Sequence, residues 1–184
     1  GAGTKPALSD FEKKTGKKGL MISAVDLLKG IAVGAGMGVA EVEGANGGLH
    51  TNYEGKAQAA VKGLLEQGYD FVYIHVEAPD EMGHQGSAEK KVQAIEYLDD
   101  RVIRPVAEAM DASGEDYRLL ILPDHPTPVR VRTHTADSVP YLLYDSRKDR
   151  QSTRFYNEKE AETGPFVKEG CELINYLFSE SGEV

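Results

Sequence analysis

The stretch Leu119-Leu-Ile-Leu-Pro-Asp-His-Pro-Thr-Pro-Val-Arg-Val-Arg-Thr-His134-Thr135 sets an apolar run against an Asp-His pair, and a second histidine follows nine residues later. Leu119 to Leu122 is short and wholly apolar, as a strand buried on both faces is. Similar runs occur at Gly19 to Ala24, Val39 to Val42, Phe71 to Val76 and Val139 to Tyr144. Between the first four lie segments with apolar residues three and four apart. Val25, Leu27, Leu28, Ile31 and Ala32 predict one helix, and Ala57, Ala60, Val61, Leu64 and Leu65 a second. Val92, Ile95, Leu98, Val102 and Val106 predict a long one, with a kink expected at Pro105. A last helix after Gly164-Pro165 carries Val167, Cys171, Ile174 and Phe178, and the polar segment from Ser146 to Thr163 reads as an exposed loop. Alternation of this kind predicts an α/β fold, a mostly parallel sheet with helices on both faces.

In such sheets ligands bind beyond the carboxyl ends of the strands. That edge should carry Asp80 and His84, just past the third strand, and Asp124 and His125, just past the fourth. His134 lies on the loop leading into the fifth strand from the same side. Alone, Asp80-x-x-x-His84 is most often a turn with solvated side chains, and His134 an ordinary loop histidine. Together the five supply the mixture of imidazole and carboxylate that borderline and hard divalent cations favour. The expectation is a two-metal site.

Bulk properties narrow the partners. With 184 residues and a net charge of −9, the chain is the size of one domain and lacks the basic surface of a nucleic-acid binder. No apolar run approaches the ~20 residues of a membrane span. One cysteine, Cys171, precludes an intrachain disulfide, in keeping with a cytoplasmic protein. The opening Gly1-Ala-Gly-Thr reads as the middle of a loop, so the chain is expected to be part of a longer one.

Other residues carry plainer readings. Gly34-x-Gly36-x-Gly38 follows a helix and precedes a strand, the reverse of a nucleotide loop, and reads as a helix stop. Ser23-x-x-Asp26 and Thr51-x-x-Glu54 have the spacing of helix caps, and Ser23 reads as a cap rather than a nucleophile. Gly68 is expected to close the second helix. His75 and Glu77 either line the site or are hydrogen-bonded beneath a helix, and Cys171 falls on a core stripe. His50 has no evident partner. Lys13, Lys14, Lys17 and Lys18 form a basic turn; Lys14 and Arg132 are the candidate contacts to a substrate phosphate.

The combination Val-Glu-Ala-Pro-Asp80-Glu-Met-Gly-His84, Leu-Pro-Asp124-His125-Pro-Thr-Pro-Val and Arg-Thr-His134-Thr resembles the cofactor-independent phosphoglycerate mutases of archaeal type, in the alkaline phosphatase superfamily. Ile22-Ser-Ala-Val-Asp-Leu-Leu-Lys-Gly-Ile and Asn52-Tyr-Glu-Gly-Lys match as well, so the likeness runs from about Gly3 to the last helix. The resemblance implies an alkaline-phosphatase-like core and two divalent ions, most often manganese, with magnesium, cobalt or zinc as alternatives. It implies that Asp80, His84 and His134 hold one ion, and Asp124 and His125 the other. A serine would pass the phosphoryl group between the two hydroxyl oxygens of phosphoglycerate. That serine, an aspartate and an inserted cap domain lie nearer the amino terminus in the family and are not in this sequence. Residues 1–184 are then the C-terminal part of the metal-binding domain, expected to be inactive without the N-terminal part. Two other readings share these features. One is a related metal-dependent phosphotransferase or phosphatase, such as a proposed homoserine kinase; the other is a non-catalytic metal-binding domain.

Overall fold

The computed structural model describes residues 7–148 and 155–179. Its centre is β1 (Gly19–Ile22), buried at all four positions. β1 lies parallel to β2 (Gly38–Val39), with Leu20 opposite Gly38, and parallel to β3 (Phe71–Ile74), with Gly19 opposite Phe71 and Ile22 opposite Ile74. Helices α2 (Asp26–Gly34) and α3 (Tyr53–Leu65) are the crossovers that parallel pairing requires. A short helix α1 (Phe11–Thr15) precedes β1, capped by the Asp10 carboxylate, which accepts from the Lys13 amide at 2.9 Å.

After β3 come α4 (Ala78–His84), α5 (Ala88–Leu98), a π-helical turn at Asp99–Ile103 and α6 (Arg104–Ser113). The core gathers Leu20 and Ile22 of β1 with Tyr53, Ala57 and Ala60 of α3. Met82 of α4 and the stripe Ala94, Val102, Val106 and Met110 complete it.

That stripe corrects the expected one. Val92 and Ile95 are half exposed, and the inward positions of the long helix fall four residues apart. A spacing of four outruns the 3.6 residues of an α-turn, and the wider π-turn restores the phase. It sits just ahead of Pro105, the position of the expected kink, and the Arg104 amide there reaches the Asp99 carbonyl five residues back.

β4 (Arg118–Ile121) and β5 (Leu142–Asp145) form a separate pair, antiparallel, with Arg118 opposite Asp145. The connection contains Pro123, Pro126, Pro128 and Pro140 and no described helix, so the chain returns directly and must reverse direction. A short helix α7 (Glu158–Ala161) interrupts the expected loop, of which residues 149–154 lie outside those described. The last helix, α8 (Leu173–Phe178), is shorter than its apolar repeat. It docks by stacking Phe178 edge-on to Phe11 and Phe71. Cys171 is exposed on the preceding 3₁₀ turn, not in the core, because the helical stripe begins only at Leu173.

Both expected caps differ. Val25, without a side-chain bond, precedes α2, while the Ser23 hydroxyl accepts from the Val25 amide at 3.0 Å in a local turn. Asn52 caps α3, accepting from the Gly55 amide at 2.8 Å; Glu54 is drawn instead into a bidentate pair with Arg101. The helix-stop reading of Gly34 to Gly38 matches the structure, where α2 ends at Gly34 and β2 opens at Gly38. Gly68 lies just past α3 with φ of 71°. No helix among the described residues is long and apolar enough to cross a membrane.

Candidate metal centre

The carboxyl ends of β1, β3 and β4 deliver Ser23, the segment His75 to Asp80, and Asp124-His125. Pro79 sits in the first turn of α4, where its missing amide hydrogen costs nothing. One turn of that helix puts Asp80 and His84 on the same face, with Asp80 Oδ2 3.3 Å from His84 Nε2. His134 closes the group from the β4–β5 loop. Its Nε2 lies 3.1 Å from His84 Nε2 and 3.4 Å from Asp80 Oδ1. The three ligand atoms lie within 4.8 Å of one another.

The outer nitrogen of His84 faces the Arg132 carbonyl oxygen at 3.0 Å. A carbonyl can only accept, so Nδ1 carries the proton and Nε2 presents its lone pair to Asp80 and His134. Arg132 has φ of 60°, the sole positive value outside glycine among the described residues, and that bend turns its carbonyl toward α4. The contact of Arg132 with His84 is made by its backbone carbonyl, not by the guanidinium for which the sequence marks it. The guanidinium lies against Gly86, where a β-carbon would strike it.

The other two expected ligands stand alongside. His125 stacks on His134 with ring centres 3.7 Å apart, and its Nε2 is 3.5 Å from Asp124 Oδ1. His125 Nδ1 is 4.0 Å from Asp80 Oδ1, so the two groups adjoin. Imidazole nitrogens and carboxylate oxygens thus converge, and the donor set of Asp80, His84 and His134 fits a divalent ion. Lys14 is not part of this arrangement; it is exposed on α1, ahead of the amino end of β1.

His75 and Glu77 lie behind the site. Ser23 Oγ is 3.3 Å from His75 Nδ1, and burial holds the His75 imidazole below its ordinary pKa, against the attraction of Glu77 and Asp124. Lys56 is fully buried and donates to the His75 carbonyl at 2.8 Å, bracing the junction between β3 and α4. Its ammonium is also pushed below the usual lysine range by burial. His50 is exposed. Two further residues escaped the sequence reading: Thr127, buried beside Asp80, and Lys91 of α5, which donates to the Thr127 carbonyl at 2.7 Å. Thr127 lies within Asp124-His-Pro-Thr, but nothing in a lone threonine signals a contact across 47 residues.

Comparison with known proteins bears on the same residues. The description "Metalloenzyme superfamily" belongs to a family model that matches residues 1–180. Over 179 residues the chain is 48% identical to the 2,3-bisphosphoglycerate-independent phosphoglycerate mutase of Methanosarcina acetivorans, covering 96% of this chain and 45% of that protein. It is 45% identical, over 96% of itself and 44% of the relative, to a probable enzyme of the same name in Geobacter sulfurreducens. A solved structure of a Pyrococcus horikoshii protein superposes with a TM-score of 0.74 at 33% identity, over 86% of this chain and 47% of that one. The cofactor-independent phosphoglycerate mutase of Thermoplasma acidophilum shares the fold, with a TM-score of 0.65 at 19% identity over 94% of this chain and 39% of that one. The chain spans a little under half the length of the curated relatives it matches. By a match along nearly its whole length, joined to a cluster of metal-ligating side chains, the chain belongs to the metalloenzyme superfamily.

Proposed function

We propose that this chain is the C-terminal, metal-binding part of a cytoplasmic phosphoglycerate mutase that interconverts 3-phosphoglycerate and 2-phosphoglycerate through a phosphoserine. The observation that carries the reading is the convergence of Asp80, His84 and His134 within 4.8 Å, in a chain 48% identical to such a mutase. Asp80, His84 and His134 would hold one divalent ion and Asp124 with His125 a second, manganese being the best candidate. Bound there, the ions would lower the pKa of the attacking hydroxyl and offset charge on the phosphoryl oxygens.

The residues of this chain orient and position. His84 is held in one tautomer by the Arg132 carbonyl, and we assign the Arg132 guanidinium, which lies against Gly86 two residues past His84, as a contact to the substrate phosphate. Lys14, on another side of the fold, receives no role. Ser23 is buried and holds a local turn by accepting from the Val25 amide, and we assign it a structural part. We place the nucleophilic serine in the part of the relatives that this sequence does not span. That serine oxygen takes the phosphoryl group from one hydroxyl of the glycerate and returns it to the other, with no net phosphate consumed.

The test is an assay of the full-length gene product with manganese and without 2,3-bisphosphoglycerate. Turnover of 3-phosphoglycerate that a chelator abolishes is expected. A folded, metal-loaded protein without turnover would contradict the mutase reading and favour another phosphoryl acceptor, homoserine first.

A further inference from the structure

Thr127 is 3% exposed, yet its one hydroxyl touches both groups of ligands. Oγ1 hydrogen-bonds Asp80 Oδ1 and lies 3.3 Å from His125 Nδ1. An ionised carboxylate can only accept, so the single hydroxyl proton goes to Asp80. The remaining lone pairs of Oγ1 must then accept, and His125 donates through Nδ1–H. In the neutral ring that tautomer leaves His125 Nε2 unprotonated, 3.5 Å from Asp124 Oδ1. Two acceptors thus face each other, as they would across a cation.

The backbone of Thr127 is itself pinned. Lys91 Nζ donates to its carbonyl at 2.7 Å, and that carbonyl presses on α4 where only Gly83, lacking a β-carbon, leaves room. Asp80 sits on one element and His125 on another, and among the described contacts Thr127 is the side chain bonded to both.

We infer that Thr127, held in place by Lys91, is a positioning residue that couples the two halves of the metal centre, orienting Asp80 in one and fixing the tautomer of His125 in the other. The inference rests on the metal reading above. It assigns these two residues a part that neither composition nor motif suggests.

The test uses the chain in two states. In the metal-free protein at pH 8, long-range proton–nitrogen correlations of the imidazoles report which nitrogen of His125 is protonated. Nδ1–H is expected in the wild type and in Thr127→Ser, and its loss in Thr127→Val. With Mn²⁺, the free-ion paramagnetic resonance signal gives affinity. Thr127→Val should lose about 10-fold to 100-fold, the usual effect of removing a group that orients a ligand. Thr127→Ser should restore it, with little change in the metal-free Tm of either. Lys91→Met, which leaves the hydroxyl in place, should weaken Mn²⁺ less than Thr127→Val does, and Lys91→Arg should rescue it. An unchanged tautomer and affinity in Thr127→Val would overturn the inference. So would a loss that Thr127→Ser shares and that follows a fall in metal-free Tm. A wild type that binds no Mn²⁺ would instead overturn the metal reading, while the metal-free tautomer still decides the hydrogen-bond relay.

Discussion

The Nδ1 atom of His84 lies 3.0 Å from the carbonyl oxygen of Arg132, a residue whose backbone bends to φ of 60°. One hydrogen bond across 48 residues thus ties α4 to the β4–β5 loop and aims the other imidazole nitrogen at Asp80. Because the carbonyl does this, Arg132→Gly should keep the bond and relieve the strain of a positive φ, leaving stability within ~1 kcal/mol. Mn²⁺ affinity should hold as well, by calorimetric titration. A fall in Mn²⁺ affinity would show that the guanidinium, not the carbonyl, serves the metal centre.

Gly83 allows α4 to lie against the Thr127 carbonyl. A β-carbon there would collide with that oxygen and come within 3.1 Å of Lys91 Nζ. Gly83→Ala should therefore cost about 1–3 kcal/mol, as overpacking does, and weaken Mn²⁺ binding with it. Urea unfolding and a metal titration check both; a variant as stable as wild type would mean the contact is looser than described.

Burial lowers the His75 imidazole below its ordinary value of 6.5. Between the two values the unfolded chain binds more protons than the folded one, so folding stability rises with pH through that window and falls as pH drops below about 6.5. His75→Gln should flatten this part of the profile in metal-free protein. Urea midpoints from pH 5 to 8 would show it, and a slope unchanged by the substitution would assign the effect elsewhere.

Asp145 takes the opposite sign. The Arg147 and Arg118 guanidiniums, at 2.7 and 2.8 Å, hold its carboxyl far below the usual carboxylate range. Its stabilising contribution is present above the unfolded value of 3.8 and is lost as pH falls through the folded one. Arg118 also reaches the Leu177 carbonyl at 3.0 Å, so this pair anchors α8. Asp145→Asn should cost about 1–3 kcal/mol at pH 7 and shrink the acid-induced loss of stability. Chemical denaturation at pH 7 and pH 3 measures it, and equal losses in wild type and variant would contradict the assignment.

Part of this was legible because short apolar runs report burial, whereas helical spacing misled at α2, where Leu27 and Ile31 of the expected face are exposed. Leu20 and Ile22 fall in a buried strand, and Asp80 and His84 on one helical turn, for reasons visible in the few residues around each pair. The antiparallel return of β5 followed from a proline-rich connection that periodicity does not weigh. The π-turn at Asp99–Ile103 hid in a stripe that could be counted two ways, and Val92 and Ile95 went to the wrong side. Thr51 and Asn52 compete for one cap, and sequence spacing cannot choose between neighbours. Thr127, Lys91 and the Arg132 carbonyl act through contacts between elements far apart in the chain, which no local pattern records.

The central claim is that Asp80, His84 and His134 bind a divalent cation. Thermal unfolding of the chain with and without Mn²⁺ tests it most directly, in wild type, Asp80→Asn and His84→Ala. Mn²⁺ at 100 times the Kd of this site should stabilise the wild type by about 2.7 kcal/mol through it, and both variants should lose that increment. A wild-type melt indifferent to Mn²⁺, or variants stabilised as strongly as wild type, would contradict the claim.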